Sequence, residues 1–306
     1  MPTTTRSAAR KKQKTAMRNA VVLSEDLLMV ILAFIDFATL IRVQRVCMHW
    51  KLMVFRSIPG RLGNTPFETR EELFVRIREY CGSDKVNYAD EIARIYGWPI
   101  GKWDVSRVTN FYSVFQNQHD FNEDIGDWDM SNATNLAFMF RNAKSFNQDL
   151  SRWNTSKVQF MYSMFSGASS FNGDVTTLDT SKVRRMDRMF YCATLFNQNI
   201  SSWDVANVTN MQRMFCKATN FNQNIAAWDV SEVLDMIWMF GGASSFNQNI
   251  SAWDISRVRY TACMFCNATA FNQDISAWDA SNVRDHSGMF DGTTSFHRDH
   301  APRFNN

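Results

Sequence analysis

Apolar positions repeat every 25 residues from Trp103 almost to the end of the chain. Trp stands at Trp103, Trp128, Trp153, Trp203, Trp228, Trp253 and Trp278, with Leu178 in the one departing slot. One Phe series runs Phe115, Phe140, Phe165, Phe190, Phe215, Phe240, Phe265 and Phe290, and another runs from Phe121 to Phe296 in the same phase. A fixed period of roughly 20–50 residues predicts a solenoid, in which each unit buries its apolar face against its neighbours. Within one copy, Val208, Met211, Met214, Phe215 and Ala218 fall at i, i+3, i+6, i+7 and i+10, which predicts a short helix. The leading Ser of Ser131, Ser156, Ser181 and Ser231 suits its N-cap. Asn117, Asn142, Gly167, Gly242, Asn267 and Gly292, two residues after the first Phe, tolerate the left-handed turn that ends a helix. The Phe-Asn-Gln-x-Ile-x-x-Trp stretch, as in Phe246 to Trp253, is predicted as a short strand pairing in parallel with its copies. The expected class is an α/β repeat solenoid, with a short helix plus a short parallel strand per 25-residue turn.

A different pattern precedes the repeats. Residues 1–20 read as a tail. Residues 21–60 read as a small all-α unit of paired helices. Ser24 caps the first, with Leu27, Leu28, Ile31, Leu32 and Ile35 on one face. Asp36 caps the second, with Leu40, Val43, Val46, Cys47 and Trp50 as its stripe. Residues 61–97 read as a linker and an N-terminal helical cap, with Thr69 and Glu72 as a capping box and Leu73, Ile77 and Tyr80 along one side. Residues 98–300 are the eight-copy array.

Charge adds one feature. Six of the 33 basic residues lie before residue 20, and the remaining 27 face 30 acidic residues, a net of −3. The body is therefore not expected to bind nucleic acid by charge. The basic arm reads as a solvated, disordered tail or as a nuclear-import signal. Six scattered cysteines in a chain with a large core point to reduced thiols. The longest apolar run, Leu27 to Ile35, is far below the ~20 residues of a membrane span. A cytoplasmic or nuclear protein, with no membrane partner, is the expectation. Cys263 and Cys266 have metal-ligand spacing, but no nearby second pair or His completes a site, so no metal or cofactor is expected.

The Met series from Met139 to Met289 and the Trp series read as core. The Asn series from Asn122 to Asn272 reads as a ladder satisfying backbone groups between turns. The helix stripe leaves the slots of 209, 213 and 216 facing outward. They hold Phe138, Arg141, Arg184, Arg188, Tyr191, Arg213 and Trp238. Aromatics interleaved with Arg are the composition of binding hot spots, so these seven are the candidate partner-binding residues. The strand face is the rival surface, and ordinary drift among copies is the plain alternative.

The repeat, nearly complete from Val208 to Ser231, resembles the 25–26-residue repeat of bacterial and mycoplasma surface lipoproteins called BspA-like, over about residues 98–296. The resemblance implies a leucine-rich-repeat-like fold and a surface or adhesion role. Residues 23–51 separately resemble an F-box: Leu27, Leu28, Ile31 and Leu32 follow an acidic opening, and Val46, Cys47, Trp50 and Lys51 form the close. Ser24 replaces the usual Pro. That resemblance implies docking to the adaptor of a cullin–RING ubiquitin ligase through Leu27, Leu28, Ile31, Leu32, Val46 and Trp50, with the repeats selecting an unknown protein client. A helical hairpin capping the solenoid is the alternative. No recurring nucleophile, base or phosphate loop appears, so a binding protein, monomeric within a complex, is expected rather than an enzyme.

Overall fold

The structure is a computed structural model that describes residues 63–82, 91, 92 and 94–305, all within the second of two units, Met1–Leu62 and Gly63–Asn306. The basic tail, the paired helices and the F-box-like residues Leu27, Leu28, Ile31, Leu32, Val46 and Trp50 lie outside the described residues.

Backbone hydrogen bonding sets the architecture. The amides of Met211, Arg213, Phe215 and Lys217 donate to the carbonyls of Asp235, Ile237, Met239 and Gly241 in the next copy, at 3.0, 2.9, 2.9 and 2.8 Å. The intervening amides of Met214, Cys216 and Ala218 turn back to Met211, Arg213 and Phe215. Alternate amides thus point along the stack and alternate amides point within the turn. An α-helix cannot do this, because its amides all point one way. The reversal needs left-handed residues, and each copy has two. One falls at Ser113, Phe138, Ser163, Arg188, Arg213, Trp238, Cys263 and Gly288; the other at Asn117, Asn142, Gly167, Cys192, Lys217, Gly242, Asn267 and Gly292.

The expected helix is therefore absent, replaced by consecutive turns from 111 to 117 and their equivalents. The parallel pairing also falls elsewhere than expected. Single parallel bridges join Asn110, Asn135, Phe160, Arg185, Asn210, Asp235, Tyr260 and Asp285 in succession, at the start of the segment read as helix. The Phe-Asn-Gln stretch is instead joined mainly by side chains. Asn197 Oδ1 accepts from the Asn222 amide, and Asn222 Oδ1 from the Asn247 amide, both at 2.9 Å. This is the anticipated asparagine ladder. The repeating Ser is no N-cap. Its amide donates to the Asp two residues earlier, as Ser231 does to Asp229 Oδ1 at 3.0 Å, closing an Asx turn.

The core is a column of rings. Phe215 lies 5.7 Å from both Phe190 and Phe240 in the adjoining copies, and 3.9 Å from Phe221 in its own. Burying each side chain contributes about 1.5–3 kcal/mol, and each ring pair about 0.5–1.5 kcal/mol more. Met139 to Met289 and the Trp series are buried beside them. From Trp128 onward each buried indole N–H donates to the carbonyl 28 residues earlier, as Trp228 does to Ile200 at 3.1 Å, whereas that of Trp103 donates to Gly97 in the segment before the repeats. Leu178 is buried in the same slot with no side-chain donor to satisfy.

Helix α1, Arg70–Cys81, covers the first copy. Thr69 accepts from the Glu72 amide at 3.2 Å, and Glu72 accepts in return from the Glu68 amide, one residue before the position a capping box predicts. Leu73, Ile77 and Tyr80 are buried, and Phe67 stacks on Tyr96 at 4.2 Å beside Trp103. At the other end Phe304 bridges to Ala280 and stacks on His286 at 3.9 Å. No helix among the described residues is long and apolar enough to cross a membrane.

Candidate partner-binding groove

The left-handed turn decides which side chains leave the core. At its first position the side chain projects from the stack, and three residues later the 216 slot projects beside it. Across five successive copies these slots, with Lys217, enclose a groove of about 560 Å³ lined by Phe138, Arg141, Ser163, Ser166, Arg188, Tyr191, Arg213, Cys216, Lys217 and Trp238. Six of the seven residues singled out in the sequence meet there. Arg184 does not line the groove. Its slot carries a separate backbone ladder, in which the Arg184 amide donates to Gln159 and its carbonyl accepts from Thr209.

The groove exists because side-chain size varies along one slot. Ser163 and Ser166 are small and buried, and so form a floor between larger neighbours. This contribution was missed in the sequence. The signal was there: a copy with Ser at both outward slots, set between Phe138-Arg141 and Arg188-Tyr191.

Both ends of the groove are held. The Arg141 guanidinium sits 5.2 Å over the Phe138 ring, which packs edge-on between Tyr112 and Tyr162 at 5.3 and 5.2 Å. At the far end Trp238 covers Gly241, where an added Cβ would lie 2.4 Å from the indole Cε3. Nearby, Arg185 pairs with buried Asp187 through two bonds of 2.9 and 3.0 Å and stacks on Tyr162.

The electrostatics are one-sided. Arg141, Arg188, Arg213 and Lys217 form no ion pair among the described residues. No lining residue is acidic. Half-buried Asp235, whose carboxylate interacts with Arg213 and Arg188 without forming an ion pair, accepts from the Ile237 amide at 2.9 Å. Burial raises its pKa, opposed by that amide and by Arg213 and Arg188, with Asp187 adding to the rise. The Tyr191 phenol is raised by its interaction with the Cys192 thiol, while Arg213 opposes this. Burial pushes the Cys216 thiol up to about 11, so it stays protonated at neutral pH. Among the described residues no group of three or more His, Cys, Asp or Glu is placed to hold a metal ion.

The sequence profile of the family described as Mycoplasma protein of unknown function, DUF285, matches residues 87–203 and 189–303. The chain belongs to this family. The match takes in every copy of the repeat that lines the groove and supports the resemblance to BspA-like repeats. Residues 23–51, which resemble an F-box, lie outside it. No curated protein and no solved structure matches the chain.

Proposed function

We propose that this chain is a non-catalytic protein-interaction module, a BspA-like repeat solenoid that holds a partner protein in the groove between Phe138 and Trp238. The supporting observation is the convergence of six outward aromatic and Arg residues from separate copies on one groove. The groove combines rigid aromatic ends with unpaired cations, the composition from which binding energy is usually drawn. The test is quantitative affinity purification with the full chain, comparing wild type, the double variant Trp238→Ala/Arg188→Ala and the remote control Arg257→Ala. Specific partners should be lost only from the double variant. An unchanged partner set, with unchanged thermal stability, overturns the reading.

A second reading rests on the pattern of residues 23–51: a substrate receptor of a cullin–RING ubiquitin ligase, docking its adaptor through Leu27, Leu28, Ile31, Leu32, Val46 and Trp50. Adaptor binding by wild type and its loss in Ile31→Asp/Leu32→Asp would support this role. Absence of adaptor binding by wild type would remove it and leave the interaction module standing.

A further inference from the structure

The positions that build the groove run against their own backbone preferences. Phe138, Arg188, Arg213 and Trp238 have φ of 59°, 54°, 56° and 57°. A left-handed conformation is unfavourable for an ordinary side chain, and only Gly adopts it freely. The same slot holds Gly288 in the last copy and small Ser113, Ser163 and Cys263 in others. The neighbouring left-handed slot is mostly Asn or Gly. Large side chains thus occupy the strained slot at four of the five copies that line the groove, and at none outside it. Folding alone would favour Gly or Asn there. Strain retained in clusters marks places where the side chain itself is used.

What those side chains offer defines the occupant. Four cations without ion-pair partners face a groove with no acid among its lining residues. Three rings, Phe138, Tyr191 and Trp238, sit between and beside them. The groove crosses four layer steps, roughly 20 Å at about 4.8 Å each, which matches about six residues of extended peptide. A long polyanion fits less well. The body outside the tail is net negative, and exposed Asp129, Asp204, Asp229, Asp254 and Asp279 recur layer by layer. A short anionic segment needs only the cations of the groove, whereas a long polyanion must also run over a net-negative body.

We infer that the groove takes an extended acidic segment of a partner protein, with its carboxylate or phosphate groups against Arg188 and Arg213 and its apolar side chains against Phe138 and Trp238. This rests on the groove being the partner site. Arg donors match carboxylate and phosphate oxygens in paired geometry, which Lys cannot reproduce. Apolar side chains of the segment packed against the flanking rings would lower the local dielectric and strengthen those bonds.

The experiment uses the full chain and a degenerate octapeptide library, with one pool of natural residues and one containing phosphoserine. Captured peptides are sequenced for wild type, Arg188→Glu/Arg213→Glu, Trp238→Ala and Arg257→Glu. Wild type should enrich Asp and Glu, or phosphoserine, next to an apolar residue. Affinity for an enriched peptide should fall roughly tenfold or more in Arg188→Glu/Arg213→Glu and weaken with salt, while Arg257→Glu leaves it unchanged. The two pools tell a carboxylate ligand from a phosphate ligand. Enrichment of neutral or basic peptides, or tighter groove-dependent binding of a dT12 oligonucleotide, overturns the inference. If partner capture depends on Trp238 but not on the Arg pair, the partner site survives and the acidic occupant does not. If capture depends on neither, the partner site itself falls.

Discussion

The indole of Trp238 occupies the space that a side chain at Gly241 would need: a Cβ there would lie 2.4 Å from Cε3 and 3.2 Å from Cζ3. The equivalent slot in other copies holds Arg141, Tyr191 or Cys216, so Gly is not required by the turn itself. It is required by the ring. One wall of the groove is thereby fixed by a missing side chain three residues away.

Gly241→Val should therefore move the indole out of its seat and weaken partner binding without touching any cation. Trp238→Gly should do the same yet leave stability within about 1 kcal/mol, because release of left-handed strain at φ 57° offsets the lost contact with Gly241 and the added chain entropy. Urea denaturation beside a binding assay checks both. A Trp238→Gly protein that is clearly less stable would mean the ring is held for packing.

Phe215→Ala removes a fully buried ring stacked against Phe190, Phe221, Trp228 and Phe240. It should cost about 3–5 kcal/mol in a chemical denaturation experiment. A near-neutral result would contradict the ring column.

Acid should loosen the array. The Ser two residues on, first through its hydroxyl and then its amide, holds the carboxyl groups of Asp129, Asp179, Asp229, Asp254, Asp274 and Asp279 below their ordinary value of 3.8. For Asp229 the hydroxyl bond is 2.6 Å. A carboxyl group with a depressed folded pKa stabilises the fold above its unfolded pKa and loses that contribution as pH falls through the folded value. The urea midpoint should thus drop as pH falls below about 4. The drop should be smaller in a variant with Ser181, Ser231 and Ser256 changed to Ala. Equal acid sensitivity in the two proteins would refute the assignment.

The period, the buried stripe and the asparagine ladder could be read directly from the sequence, because each depends on residue type at a fixed spacing. The turn could not. Apolar residues at 208, 211, 214, 215 and 218 fit one face of a helix, and they fit equally a run of turns whose alternate amides leave for the next layer. The distinguishing signal was two left-handed slots four residues apart. Asn and Gly announce the second slot, but Phe138, Arg188, Arg213 and Trp238 hide the first. The outward set was mostly found despite this, since the 213 and 216 slots leave the core in either conformation. Arg184 stands apart from the groove because the 209 slot, in these turns, carries its own backbone ladder.

Deleting one complete period, residues 204–228, should leave a folded and shorter array, because each copy bonds to the copies immediately before and after it. Circular dichroism and cooperative unfolding would show this. The same deletion removes Arg213, Cys216 and Lys217 from the groove, so partner binding should fall although the fold persists. A protein that fails to fold would contradict nearest-neighbour stacking.

Photo-cross-linking reads most directly whether a partner protein sits in the groove. A photoreactive residue is placed at Ser166 on the groove floor and, in a separate protein, at exposed Asn249 in the Phe-Asn-Gln stretch, with each full chain captured alongside its purified partners. Adducts to one partner from position 166, and none from 249, are the predicted result. Adducts from 249 alone, or none from 166 while the partner remains bound, would contradict it.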